Sequence, residues 1–214
     1  MIRAVSFDMD GTIVNKNFAN SVWFEAIPKL YSQRWKVPFE VAVEKIKRAY
    51  DEVGPRRLEW YDIKYWFRRF DLGNKWDEVL AEYRNRAQLY PDVEPVLQRL
   101  AGKYKLIIAT AAAKEFANMA LNGKPMMRLI SGVFSSISDF GQIGKTPEFF
   151  RKVCEKIGVK PSELLHVGDH LEHDVIAARE AGIHAILIDR DGKKGIKSLF
   201  ELIDILSRFD SKLL

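Results

Sequence analysis

The chain has 214 residues, 47% of them hydrophobic and 12% aromatic, enough for a buried core and too many for disorder. Its 34 basic and 29 acidic side chains leave a net charge of +5, and no dense basic run accompanies a binding motif, so nucleic acid is not an expected partner. One cysteine excludes an internal disulfide, and the sequence has neither the apolar run of a signal peptide nor a stretch near the roughly 18 residues of a membrane span, so a soluble cytoplasmic protein is expected.

Residues 2–7 read as a short apolar strand that runs into Asp8. Residues 15–89 then show helical periodicity and no convincing strand. This segment holds all five tryptophans, Trp23, Trp35, Trp60, Trp66 and Trp76, and 15 of the 25 aromatic residues. It is expected to form a small helical domain inserted after the first strand. Its aromatics either fill that domain's own core or line a pocket facing the sheet. The pairs Arg56-Arg57 and Arg68-Arg69 read as solvated helix faces, with a grip on an anionic substrate as the alternative.

After Pro91, short apolar runs at 105–109, 133–137, 164–167 and 185–188 alternate with helical patterns at 93–101, 112–121, 147–157, 172–181 and 197–208. Such runs between helices indicate an α/β fold with a parallel sheet covered on both faces. Thr146 and Pro147 mark a helix start, and Gly158 and Gly182 mark stops. The expected division is a core of residues 1–14 and 90–214 and an all-helical insertion of residues 15–89.

Chemistry-bearing residues fall at the ends of these strands. Asp8 and Asp10, in Phe7-Asp8-Met9-Asp10-Gly11-Thr12, follow the first strand. Residues two apart on an extended chain project to one side, so both carboxylates can meet where open α/β sheets bind ligands. Gly11 permits close backbone approach and Thr12 adds a hydroxyl. A calcium loop fails, because its twelfth position is Ala19; an Asp-Gly turn is the remaining structural reading. Thr110 ends the second strand before Ala111 and a helix, and serves either as a helix cap or as part of a phosphate site.

Lys145 lies in Gly141-Gln142-Ile143-Gly144-Lys145-Thr146. A P-loop would need glycine where Asp139 stands, so that reading is rejected. The lysine is either a point charge for phosphate or a surface residue. Finally Gly168-Asp169 ends another strand, with Asp174 one turn into the following helix. Asp169 can offer an oxygen opposite Asp8 to a hard cation such as Mg²⁺, and Asp174 can brace that shell. His170 and His173 lack a cysteine partner and are not expected to bind zinc. Cys154 lies on the apolar stripe of Phe149, Phe150, Val153 and Ile157 and reads as core.

Together, Asp8-Met9-Asp10-Gly11-Thr12, Thr110, Lys145 and Gly168-Asp169 with Asp174 resemble, in order, the four motifs of the haloacid dehalogenase superfamily. The resemblance implies a Rossmann-like core with residues 15–89 as a helical cap. It implies Asp8 as the nucleophile that forms an aspartyl phosphate and Asp10 as general acid, then base. It implies a substrate cradle of Gly11, Thr12, Thr110, Ala111 and Lys145. It implies Mg²⁺ on Asp8, the backbone carbonyl of Asp10, and Asp169, with Asp174 behind them. Dehalogenases of this superfamily lack an aspartate at the position of Asp10, so a phosphatase for a small phosphorylated metabolite is expected. A phosphomutase, a 2-haloacid dehalogenase and a non-catalytic phospho-ligand module are the alternatives. Neither the substrate nor the oligomeric state is legible in the sequence.

Overall fold

The apolar runs form five parallel strands in the computed structural model of the chain, which describes residues 1–192 and 194–211. They are β1 (Ala4–Phe7), β2 (Lys105–Thr110), β3 (Ile130–Ser135), β4 (Leu164–Gly168) and β5 (His184–Leu187). The sheet order is β3-β2-β1-β4-β5, so the first strand lies at the centre. Its register pairs Phe7 with Ile108 on one side and Val167 on the other.

Alternation along the strands builds two apolar layers. Val5, Phe7, Leu106, Ile108, Leu165 and Val167 enter one cluster, while Ala4, Ile107, Ala109 and Leu164 enter the other. Side chains two apart share a face, so strands buried on both sides are apolar on both, here with the exceptions of Ser6 and His166, which face each other across β1 and β4.

The helix that covers the second layer is Pro147–Ile157. The Thr146 hydroxyl accepts the Phe149 N–H at 3.1 Å to open it, and Gly158 closes it. Its Cys154 is 2% exposed, with burial pushing the thiol up to about 11.

Several boundaries differ from expectation. The third strand is displaced from 133–137 to Ile130–Ser135, because the Ser135 hydroxyl accepts the Ser138 N–H at 3.0 Å and starts a short helix, Ser136–Phe140. The last helix is Phe200–Ser211 and not 197–208, because Asp92 takes the Leu199 N–H and the Ser198 hydroxyl, both at 2.7 Å. The helix expected over 172–181 begins as a wide turn, Leu171–Ile176, before Ala177–Glu180.

Residues 15–89 hold only helices and turns, including Asn17–Ser21, Ile27–Trp35, Phe39–Val53, Ile63–Arg69 and Trp76–Tyr83. The chain leaves and returns side by side: Val14 bridges Leu89, and the Asn15 N–H donates to the Gln88 carbonyl at 2.9 Å. Trp66 is fully buried between Tyr50, at 4.6 Å, and Phe70, at 5.4 Å. The same apolar cluster continues from these rings to the sheet. Arg57 pairs with Glu59, Arg68 with Asp62 and Arg69 with Glu52, while Arg56 is exposed; Arg68 and Arg69 lie on a solvated helix, but Arg56 and Arg57 lie in the turn before Leu58 and not on a helix face. No described helix is long and apolar enough to cross a membrane.

Candidate active site

β1 does not stop cleanly at Phe7. The Asp8 N–H continues the ladder to the Val167 carbonyl at 2.8 Å, which holds Asp8 at the carboxyl end of the sheet. The chain then folds tightly around one acceptor, the Met9 carbonyl, which takes the N–H groups of Thr12, Ile13 and Val14. That turn leaves Asp10 beside Asp8 on the exit from the strand. Gly11 sits at φ +89°, and a Cβ there would lie 2.3 Å from the Asp169 carboxylate. Only glycine lets this turn approach the acid at the end of β4.

The lysine expected to be either a phosphate contact or a surface residue is buried, at 3% exposure. Its Nζ contacts the carboxylates of both Asp8 and Asp174. Burial alone would lower its pKa, but Asp174 and Asp8 outweigh burial and raise it. Asp174 is completely buried, and although burial favours its neutral form, Lys145 and His166 hold it well below the usual carboxylate range. Gly168 makes room for it, since a Cβ there would lie 2.2 Å from its carboxyl carbon.

Asp8 and Asp10 shift in the same direction and differ in their partners. Burial pushes Asp8 up to about 7 against the pull of Lys145, with Asp174 and Asp169 adding repulsion. Burial also pushes Asp10 up to about 7, again against Lys145. Asp10 Oδ1 is buried and has no hydrogen-bond partner. Asp8, Asp169 and Asp174 each present an oxygen within 4.8 Å of the others. Against the four carboxylates of this site stand two ammonium groups, Lys145 and Lys16, the latter 2.5 Å from Asp169 Oδ2. An all-oxygen cluster with surplus negative charge fits a hard divalent cation.

The remaining candidates lie around this group. The Thr12 hydroxyl donates to Asp8 Oδ2 at 3.2 Å. Thr110, at the end of β2, is 1% exposed and accepts the Ala112 N–H at 3.0 Å. Ala111 to Ala113, with Asp10, Ala19, Trp23, Tyr61 and Phe116, line a cavity of about 180 Å³ between the insertion and the sheet. Trp23 stacks on Phe116 at 5.0 Å, which joins the two parts across it. The His170 and His173 rings are tilted against each other with centroids 4.6 Å apart, and the His170 N–H donates to Asp174 Oδ2 at 2.8 Å.

Three participants went unassigned in the sequence reading. His166 is fully buried, with Nδ1 2.9 Å from the Ser6 hydroxyl and Nε2 2.9 Å from Asp174 Oδ1. Burial lowers its pKa, so it is a neutral support for Asp174. The signal was available: Ser6 and His166 are polar residues at matched positions of two buried strands. Arg190 is the second, reaching from beyond β5 to donate to the Thr12 carbonyl. It also pairs with Asp92 at 2.5 Å and lies over the Tyr90 ring at 4.1 Å. Lys16, just inside the insertion, is the third.

Comparison with known proteins gives this arrangement a context. The model of the haloacid dehalogenase-like hydrolase family matches residues 2–182. The crystal structure of a HAD phosphatase from Thermococcus onnurineus superposes with a TM-score of 0.81 and 31% identity, over 96% of this chain and 98% of that one. A 2-haloacid dehalogenase from Pseudomonas syringae superposes with a TM-score of 0.72 and 26% identity, over 98% of this chain and all of that one. The pyrophosphatase PpaX of Bacillus mycoides is 26% identical across 87% of this chain and 83% of its own length.

Proposed function

This chain belongs to the haloacid dehalogenase-like hydrolases, and from that premise we propose that it is a Mg²⁺-dependent phosphatase acting on small phosphate monoesters through an aspartyl phosphate on Asp8. The observation that carries the reading is the pairing of two unlike carboxylates on one turn: Asp8 in contact with Lys145, and Asp10 with a buried, unpartnered oxygen. An Asp8 oxygen attacks phosphorus, the ester P–O bond breaks, and Asp10 passes its proton to the departing alkoxide. Asp10 then takes a proton from water, whose oxygen attacks the same phosphorus, and Asp8 leaves as a carboxylate with release of inorganic phosphate. Carboxylates beside a phosphate dianion repel it, so Lys145 with Thr110 and Ala111 would hold the phosphoryl oxygens, while Gly11 and Thr12, whose N–H groups bond to the Val14 and Met9 carbonyls, shape the turn at the cradle's edge.

Asp8, Asp169 and the Asp10 carbonyl would hold Mg²⁺, which supplies charge neutralisation at the phosphoryl group. Asp174 keeps Lys145 in place and is itself oriented by His166. Residues 15–89 act as the cap over a core of 1–14 and 90–214, a division supported by the side-by-side crossing at Val14 and Leu89. Asp10 favours an ester over a haloacid, because an expelled halide needs no proton while an alkoxide does.

The test is phosphate release from acetyl phosphate and short alkyl phosphates, with Mg²⁺ and with EDTA, for wild type and Asp8→Asn. Release should require Mg²⁺ and vanish in the variant. Turnover of Asp8→Asn within about tenfold of wild type overturns the covalent route. Phosphoryl return to a second sugar hydroxyl, in place of release, identifies a mutase.

A further inference from the structure

We propose that the leaving group accepted here is a short, uncharged, mainly apolar alcohol, and that Trp23 sets its length. This rests on the phosphatase reading above and adds the substrate class. The cavity that Asp10 borders is about 180 Å³. At about 30 Å³ per small atom group, that volume holds roughly six non-hydrogen atoms. A nucleoside is larger and would extend beyond the cavity.

The chemistry of the wall narrows the class further. Apart from Asp10, the lining is alanine and aromatic carbon. The cations that act on Asp10, Lys145 and Lys16, are already paired with Asp8, Asp174 and Asp169, and on the flanking elements Lys114 pairs with Asp139 and Lys64 with Glu115. The Tyr61 hydroxyl donates away from the cavity, to the Pro55 carbonyl at 3.2 Å. A leaving group that carried its own carboxylate would bury that charge without a partner, which costs several kcal/mol.

Trp23 is fixed from behind. It stacks on Phe116, meets Tyr50 edge-on at 6.0 Å, and its carbonyl accepts the Tyr50 hydroxyl at 3.1 Å. Trp23 also lines a second cavity of about 600 Å³, together with Phe24, Ile46, Tyr50 and Trp60. The indole is therefore a partition between a small site cavity and a larger apolar one.

The experiment measures kcat/KM with Mg²⁺ for propyl, hexyl and octyl phosphate, phosphoglycolate and a nucleoside monophosphate, in wild type, Trp23→Ala and Trp23→Phe. In wild type, propyl phosphate should exceed phosphoglycolate and the nucleotide by about 100-fold or more. Trp23→Ala should raise the octyl-to-propyl ratio by about tenfold or more, as the partition opens. Trp23→Phe keeps the aromatic stack, guards against misfolding of the alanine variant, and should raise the ratio by a smaller factor. Equal kcat/KM for propyl phosphate and the nucleotide or phosphoglycolate overturns the inference and leaves the phosphatase reading intact. An unchanged octyl-to-propyl ratio in both folded variants overturns the role of Trp23. Release from none of the esters overturns the phosphatase reading, and this inference with it.

Discussion

Asp92→Ala should destabilise the protein by about 3 kcal/mol. Three donors converge on Asp92 Oδ2: Arg190 Nη1 at 2.5 Å, the Ser198 hydroxyl at 2.7 Å and the Leu199 N–H at 2.7 Å. Removing one partner of a buried pair costs roughly 3–5 kcal/mol, because the other charge is left unpaired. The Arg190 side chain is 15% exposed and keeps the Thr12 carbonyl and the Tyr90 face, which argues for the low end. At about 2–4 °C per kcal/mol for a chain this size, the midpoint of thermal unfolding should drop by roughly 6–12 °C.

Asp92→Asn keeps the three acceptor contacts without the charge, and should cost about half as much, since charge-assisted bonds are roughly twice as strong. Burial alone would raise the pKa of Asp92, but the bonds from Arg190, Ser198 and Leu199 outweigh it and hold the value low. A carboxylate with a depressed folded pKa contributes fully above its unfolded value, about 3.9, and loses that contribution as pH falls through the folded value. The gap between wild type and Asp92→Ala should therefore stay constant from neutral pH to about 4 and narrow below it. Thermal melts followed by far-UV circular dichroism across pH measure both. A drop in midpoint under about 2 °C at neutral pH refutes the reasoning.

Other outcomes follow from the site. Asp10→Asn should slow propyl phosphate far more than acetyl phosphate, whose leaving group needs little protonation; equal losses in kcat refute its role as acid. Saturating Mg²⁺ should stabilise the wild type by roughly 2–3 kcal/mol at 100 times its Kd, with EDTA reversing the shift. Asp169→Asn should lose that response in a thermal-shift titration, and a full response in the variant removes Asp169 from the metal site. Cys154, 2% exposed with its thiol pushed up to about 11, should resist a thiol reagent at pH 8 until urea unfolds the chain. Stoichiometric labelling of the native protein contradicts its burial.

Much of this was written locally in the chain. Thr146-Pro147 and Gly158 set their helix because capping uses only neighbouring residues. Asp8 and Asp10 meet because a strand end followed by Gly11 is also a local event. Ser135 was harder: its run looks strand-like, yet its hydroxyl competes for the Ser138 N–H and ends the strand early. Residues joined only by the tertiary fold were the least legible. Arg190 meets Thr12 across most of the sequence, and nothing near either residue announces the other. Lys145 reads as an ordinary loop lysine until β1 and the turn after β4 bring Asp8 and Asp174 to it.

The apolar cluster shared by the insertion and the sheet has a bearing on how the molecule comes apart. Trp66 and Tyr50 belong to the same continuous cluster as Val5 and Phe7. The insertion therefore has no separate interior to retain once the sheet is lost, and cooperativity spans the whole chain. Because every tryptophan lies between positions 15 and 89, indole emission watches that segment, while amide absorption watches the whole chain. Two signals with different fields of view should trace one transition, which makes the protein its own gauge of coupling between residues 15–89 and the sheet.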